Sequence, residues 1–593
     1  MSSNVVTHEP TDVVVLGLGH MGGPVAAELS TAGYKVVGIE KGPYWDYATD
    51  WSPTNIHDEW AIMLERKFDH PLQLSTFTVR NDRDQVALPV RRYTKFVQYQ
   101  ALGHGVGGAG THYGGVMGRF APWSYKPYSE TINKYGESVL PTNHDMEDFP
   151  VSYQDMVPYY EKWEKAMGIS GTNQDPFIPG VKFPTPAHPT TPYGEVFRGA
   201  AESLGYHPYP QPSALISQPY TNQYGVSRNG CLYCGWCAGR CNYPCEVGAK
   251  GSSHVTTVPA AMKTGNFDLR LNSIVYRIDL DASGKKATGV RYYDPQGNIN
   301  IQPAKVVFNG IWGFNLVRLM LLSGIGKPYD PVKISGSVGR APTLGDGPAA
   351  TSVSGTLNMA TNTYSCGNQA GGGYVMLDLA DDNFDHKGQN FIGGAPISYG
   401  NFLGAGPNMV TAFNPGKTSW GSAWKKGLKD MKLPSKLTVS FAPTGPEIPT
   451  KDQYVGLDPH YNDIYGDPVA RVTINWGANR WRVADYLAPK LQEILTKMGC
   501  TDIKVNKVPE LSSKPDLWAA HVRDGARTGS KPETSVFNKW MQSWDVENVF
   551  ASGEICDPFG DNITPGTHPV GAMAYLAADG IQKYLKSPGP LVA

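Results

Sequence analysis

The sequence predicts an α/β fold, α+β over its whole length, organised around a Rossmann-like dinucleotide-binding domain. Three observations predict it. A glycine motif joins a first strand to a first helix near the N-terminus, and a strand–loop–helix segment returns at the C-terminus. Between them the chain is rich in turns, with Gly 67 and Pro 47 among 593 residues. That length is too great for one core and suggests two or three domains.

The first element is DVVVLGLGHMGGPVAAELSTAGYKVVGIEKG, from Asp12 to Gly42. An apolar strand leads into a glycine turn, a helix of small and apolar residues, and a second strand ending at Glu40. Gly17, Gly19 and Gly22 stand at G-x-G-x-x-G spacing. The first permits the tight turn, the second lets a pyrophosphate approach the backbone, and the third lets helix and strand pack closely. The helix N-terminus offers unbonded N–H groups to phosphate. Glu40 stands where a carboxylate accepts from ribose hydroxyls, and it argues against a 2′-phosphate.

The formal net charge of -1 gives no electrostatic case for nucleic acid or for a bare anionic membrane. No apolar run approaches the roughly 18 residues of a transmembrane helix. The opening MSSNVVTHEPTD has no basic region, apolar core or twin arginine, so no export signal is expected in it. Work outside the cytoplasm would then need a partner to carry the chain there.

After the first unit, residues 46–92 read as polar and broken, without a clear period. Tyr99–Trp123 (YQALGHGVGGAGTHYGGVMGRFAPW) is too dense in glycine for a long helix or strand. Interleaved Val106, Tyr113, Met117 and Phe120 suit a backbone wrapped on a flat ligand better than a surface loop. His112 is the reactive side chain in its tightest part. A helical pattern follows at Ser152–Met167, inside a Pro-, Tyr- and Trp-rich stretch. FDLRLNSIVYRIDLD and GVRYYDPQGNI read as strands, KVVFNG as another, and Phe314–Ser323 as a helix. Residues 332–505 are again glycine- and aromatic-rich, with an amphipathic helix at Arg480–Met498. DVENVFASGE, a polar loop and HPVGAMAYLAADGIQKYL close the chain. The boundaries expected are 1–123, 229–330 and 509–593 for the cofactor domain, and 124–228 and 331–508 for the substrate domain.

Cys231, Cys234, Cys237, Cys241 and Cys245 crowd into CLYCGWCAGRCNYPC. The first four follow the C-x2-C-x2-C-x3-C spacing of ferredoxins, which lets several thiolates converge on an iron–sulfur cluster. A structural zinc site usually draws on two separated pairs, and local disulfides would strain such close neighbours. Cys366, Cys500 and Cys556 stand alone and read as buried small residues. A flavin suits a cluster better than nicotinamide does, because a tightly held flavin accepts a hydride and returns electrons singly.

The N-terminal motif, GGAGTHYGG, the block ending CEVGAKGS, and SGEIC…HPVGAMAYLAADGI together resemble the glucose–methanol–choline (GMC) oxidoreductases. The resemblance is nearest to the flavoprotein subunits of bacterial gluconate, fructose and glucose dehydrogenases, and is weakest over 330–505. It implies a substrate domain built on an antiparallel sheet, as in pyranose oxidase, and FAD as cofactor. It further implies a sugar, sugar acid or polyol as substrate, a cytochrome c subunit as electron acceptor, and a small subunit carrying the export signal. The chain would then work on the periplasmic side of the inner membrane through that partner, and in the cytoplasm without one.

Carried over by position, the resemblance makes His521 the catalytic base, although Ala526, Arg527 and Thr528 stand where threonine and methionine are usual. His568, before Pro569, matches the second catalytic residue best, with Asn562 as the alternative. Gly107, Gly108, Thr111 and His112, and Gly553 and Val570 in the C-terminal return, are implied as flavin contacts. Both a covalent bond from His112 to the flavin and a free His112 packed on it stay open. So do two ligand sets. Relatives with a three-iron cluster point to Cys245 with Cys241, and the ferredoxin spacing points to the first four cysteines. An oxidase of the same fold and a non-catalytic electron-transfer subunit are the rival readings.

Overall fold

A computed structural model describes residues 5–50, 75–81, 86–92, 103, 105–234, 244–344, 351–359, 370–400, 421–429, 436–507, 521–559 and 566–591. Thr11–Leu16 (TDVVVL) is a strand because its valines favour extended backbone and both its faces are covered. It lies parallel between Val36–Ile39 and the long strand Ile299–Asn309, with Val13 opposite both Val36 and Val306. Val549–Ala551 joins the other side of Ile299–Asn309, and Phe267–Arg270 the outer side of Val36–Ile39. The first half of Ile299–Asn309 turns to a different task. It pairs antiparallel with Ala287–Tyr293, which pairs with Ile274–Leu280. Thus FDLRLNSIVYRIDLD is two strands divided at Asn272, whose φ is +50°, and not one.

The second large sheet is mostly antiparallel. Its order among the described residues is Val522–Gly525, Arg340–Leu344, Tyr454–Asn462, Pro468–Trp476, Thr76–Asn81 and Val86–Arg92. The last two strands lie in the stretch expected to be without pattern. Thr76–Asn81 runs parallel to Pro468–Trp476, a partner from the far end of the sequence, and Phe77 beneath it is buried. Tertiary pairing therefore decides a segment that its own alternation leaves weak. One hydrophobic core runs continuously between both sheets, from Val13 and Phe308 to Phe77, Val472 and Val522.

Helices cover the nucleotide sheet. Tyr153–Met167 begins with a reciprocal capping box between Ser152 and Asp155, and ends at Gly168, whose φ is +69°. It packs on the C-terminal helix Thr567–Lys586. The approach is close: a Cβ on Gly571 would lie 2.2 Å from the Trp163 ring. Among the described residues, no helix is long and apolar enough to cross a membrane.

Behind the edge strand Val522–Gly525 lies a buried ionic group. Asp145 accepts from Arg340 Nε at 2.6 Å and from Arg527 Nη2 at 2.8 Å. Burial opposes ionisation of Asp145, but Arg527 and Arg340 outweigh it and hold the carboxyl below its usual range. A depressed carboxyl adds stability above its unfolded pKa and loses it as pH falls through the folded one. Asp145→Asn should therefore destabilise the protein by about 3–5 kcal/mol at neutral pH, as for a broken buried pair. The deficit should shrink below about pH 4 in denaturant titrations at several pH values.

Candidate active site

The dinucleotide turn has the clearances its spacing requires. Gly17 has φ +76°, and a Cβ on Gly22 would lie 1.9 Å from the Gly17 carbonyl oxygen. No side chain caps the helix Gly22–Thr31 that follows, and the Gly23 N–H donates to the Gly19 carbonyl at 3.0 Å, so the turn itself closes onto the helix start that would face phosphate. Glu40 is buried just beyond its strand. Its Oε2 accepts from the Leu18 N–H at 2.9 Å and its Oε1 from the Gly42 N–H at 3.1 Å.

The glycine loop folds onto this turn. The Gly107 N–H donates to the Leu18 carbonyl at 2.9 Å, and the Val106 N–H to the Pro43 carbonyl at 3.0 Å. A Cβ on Gly105 would strike the Pro43 carbonyl at 2.4 Å. Gly108–Thr111 forms one helical turn, with Thr111 Oγ1 donating to the Gly108 carbonyl at 3.0 Å, and buried His112 follows it. Gly553 reaches the same place from the C-terminal return, since a Cβ there would lie 2.8 Å from Met21 Sδ. Val570 is buried in the first turns of the C-terminal helix. Two imidazoles back the loop, half-buried His20 against Gly110 and buried His254 against Gly107. Burial pushes both down to about 3, so both are neutral at physiological pH.

His521 stands at the seam between the two sheets. It precedes the edge strand Val522–Gly525, and the turn Glu554–Cys556 follows the strand Val549–Ala551 of the nucleotide sheet. Three backbone bonds join these segments: Asp524 N–H to Asp557 at 3.0 Å, Ala526 to Ile555 at 3.1 Å, and Thr528 to Cys556 at 2.9 Å. Across the seam, His521 Nδ1 lies 2.7 Å from Glu554 Oε1. Glu554 was not singled out by sequence reasoning, although it lies inside SGEIC, just past the carboxyl end of a nucleotide-sheet strand. That is where ligands collect in such sheets.

His568 lies in the first turn of the C-terminal helix Thr567–Lys586. It is fully buried, its ring edge-on to Tyr160, with Nε2 3.1 Å from Glu164 Oε1. Arg119 holds the same Glu164 with two bonds, of 2.7 and 2.8 Å. Burial keeps His568 below its ordinary value, Glu164 opposing and Arg119 adding to the effect. The ring packs between the helices Tyr153–Met167 and Thr567–Lys586. Asn562, its alternative, lies outside the described residues.

Of the cysteine block, Cys231, Cys234 and Cys245 are described, while Cys237 and Cys241 lie outside the described residues, as does Cys366. Among the described residues, no three His, Cys, Asp or Glu are grouped to hold a metal ion. The expected cluster therefore has no described site.

Comparison with known proteins decides the family. Residues 144–341 match the family model for GMC oxidoreductases. The chain is 36% identical to the gluconate 2-dehydrogenase flavoprotein of Pantoea cypripedii, covering 98% of this chain and 95% of that one. The chain belongs to the GMC oxidoreductase family. It is an FAD-dependent oxidoreductase acting on CH–OH groups. The 2-methyl-1,2-propanediol dehydrogenase of Mycolicibacterium austroafricanum is 28% identical, over 97% of this chain and 96% of that one. A solved formate oxidase of Aspergillus oryzae RIB40 shares the fold at a TM-score of 0.58 and 13% identity, covering 99% of this chain and 100% of that one.

The glycine cradle, the uncapped helix and Glu40 suit the pyrophosphate and ribose of FAD. The departure from the GMC pattern at Ala526-Arg527-Thr528 also has a physical reading, because Arg527 is fully buried and binds Asp524 and Asp145. Gly22→Ala tests the cradle. Its methyl cannot enter without opening the turn, so the purified variant should retain less than about a tenth of the parent's FAD, a penalty of roughly 1.4 kcal/mol or more. Absorbance of the released flavin per mole of protein measures it.

Proposed function

We propose that this GMC enzyme is a dehydrogenase that oxidises a secondary alcohol or anomeric carbon of a sugar, sugar acid or polyol, with His521 as the base. The observation that carries this reading is the His521–Glu554 pair, seated where the edge of the antiparallel sheet meets the nucleotide sheet. Bound FAD would supply the acceptor for the carbinol hydride. His521 would take the hydroxyl proton, and an imidazole suits that task near neutral pH without much tuning. Gly107, Gly108, Thr111 and His112 would line the flavin. His568 would act through packing and not on the substrate.

We extend the proposal to the electron path, with a cluster held by the cysteines of 231–245. A cluster there would supply one-electron transfer toward a cytochrome or quinone-linked partner at the periplasmic face. Two local features support it. The Tyr233 N–H donates to Cys231 Sγ at 3.4 Å, in a turn where Tyr233 has φ +52°. Such N–H···S bonds surround cluster thiolates and tune their potentials. Past Cys245, the chain also runs directly to the flavin loop, where Lys250 Nζ donates to the Tyr113 carbonyl at 2.9 Å. A second reading is an oxidase of the same fold that returns electrons to oxygen.

His521→Ala should lower the rate of flavin reduction by substrate by roughly two to four orders of magnitude, with FAD content near the parent's. Stopped-flow absorbance under anaerobic single-turnover conditions reads it, and a parental rate would remove His521 from the role. A panel of sugars, sugar acids and polyols separates the two acceptor readings. The dehydrogenase should reduce dyes without consuming oxygen, and should contain iron and acid-labile sulfide. Oxygen uptake with peroxide release, from protein without iron, would establish the oxidase.

A further inference from the structure

We infer that Asp524 is a buried proton-binding site whose charge sets how firmly Arg527 holds the strand after His521, so that placement of the base follows pH. The inference rests on the assignment of His521 above. Asp524 is fully buried in the short edge strand that begins one residue after His521. Its Oδ1 accepts from Arg527 Nε at 3.0 Å and from the Gly525 N–H at 2.6 Å, and its Oδ2 accepts from Arg527 Nη2. Those bonds clamp an unusual backbone. Asp524 has φ +58° and Gly525 has φ +95°, two left-handed residues in succession. A residue with a Cβ keeps that conformation where its surroundings impose it.

Positive charge is unequally shared around this clamp. Arg527 Nη2 also donates to Asp145 at 2.8 Å, and Asp145 binds Arg340 as well. Asp145 thus has two guanidinium groups, with Lys451 adding its attraction, while Asp524 has part of one. Glu147 Oε1, 3.9 Å from Arg527 Nη1, draws further on that cation. From the turn that leaves the nucleotide sheet, Asp557 binds Arg523 at 3.1 Å, and burial pushes the Cys556 thiol up, so that it is uncharged. A proton entering the group therefore goes to Asp524, which has no exposure, the smaller share of positive charge and Asp145 as a like neighbour. Burial, with Asp145 adding to it and Arg527 opposing, accordingly pushes the carboxyl up to about 7. Protonation removes the charge that strengthens the Arg527 bonds and leaves Arg527 to Asp145. The left-handed turn then loses its clamp, and the strand that follows His521 is freer to shift.

Infrared spectra of the FAD-loaded enzyme across neutral pH test the proton site without reference to activity. The carbonyl band of a protonated carboxylic acid should fade as pH rises, with a midpoint of about 7. It should vanish in Asp524→Asn and persist in Asp175→Asn, which removes another carboxyl that burial raises. A parent without the band, or a band lost in Asp175→Asn and kept in Asp524→Asn, would overturn the inference. Anaerobic single turnovers with the best substrate of the panel read the consequence. Asp524→Asn, neutral and of the same size, should slow flavin reduction by roughly 10- to 100-fold above about pH 8, the scale of a small misplacement. The ratio of parent to variant rates divides out the titration of His521 itself. That ratio should fall towards about 1 near pH 5, where Asp524 of the parent is neutral too. A ratio that does not change with pH would make Asp524 a structural residue only, and would overturn the inference. A parental rate in His521→Ala would instead remove the base assignment, while the infrared midpoint still decides whether Asp524 binds the proton.

Discussion

The proposed active site depends on a short seam of backbone hydrogen bonds. Residues 524–528 donate to the carbonyls of 555–557, tying the edge of the antiparallel sheet to the turn that leaves the nucleotide sheet. Two sheets that pack through side chains alone can slide by small amounts. Two that share directional main-chain bonds hold their ends in register. In the proposed mechanism, this seam is where a reacting carbon would meet a cofactor held by one sheet and His521 from the other. His521 lies on one side of it and Glu554 on the other, so their separation is set by the fold and not by side-chain rotamers alone.

The glycine loop applies the same logic to the cofactor. Main-chain bonds from Gly107 and Val106 lock it to the nucleotide turn, while Tyr113, just past His112, is tied down from the other side. Tyr113 Oη donates to the Gly251 carbonyl at 2.5 Å, and Lys250 Nζ reaches the Tyr113 carbonyl. Lys250 follows the cysteine block by five positions, counted from Cys245 to 250. The loop expected to wrap the flavin is thus held between the dinucleotide turn and the end of the cysteine-rich segment. Bringing those two segments together is what an internal electron path would require of the fold.

Much of the nucleotide half could be read from the chain, because its signals are local. Strand, turn, helix and acid follow one another within Asp12–Gly42, and the valines that fill the parallel sheet are contiguous. The second sheet could not be read in this way. Thr76–Asn81 owes its structure to Pro468–Trp476, and the period-two signal within TFTVRN is too short to stand alone. The active site divides along the same line. A motif points to His521, but Glu554 becomes its partner only when two sheets are joined, and sequence distance hides that. His568 presents the converse case. Its motif points to substrate, yet the helix Tyr153–Met167 supplies a buried Glu164–Arg119 pair for its ring to pack against.

The buried charges behind the seam address a weakness of the edge strand. Val522–Gly525 has four residues, and its pairing with Arg340–Leu344 is already irregular between Arg340 and Thr343. A slip of one residue in so short a strand would turn every side chain to the opposite face and carry His521 with it. Arg340 opposes that slip twice. Its backbone pairs with Gly525, and its side chain binds Asp145, which also binds Arg527 two residues further on. Any change of register must therefore break a buried ion pair as well as the ladder. Burying these charges is a poor source of stability compared with packed apolar groups, because desolvation offsets most of the attraction. Their directional bonds tolerate only one alignment of the strand. An apolar cluster of equal volume would tolerate neighbouring alignments, and it would hold His521 less strictly in place.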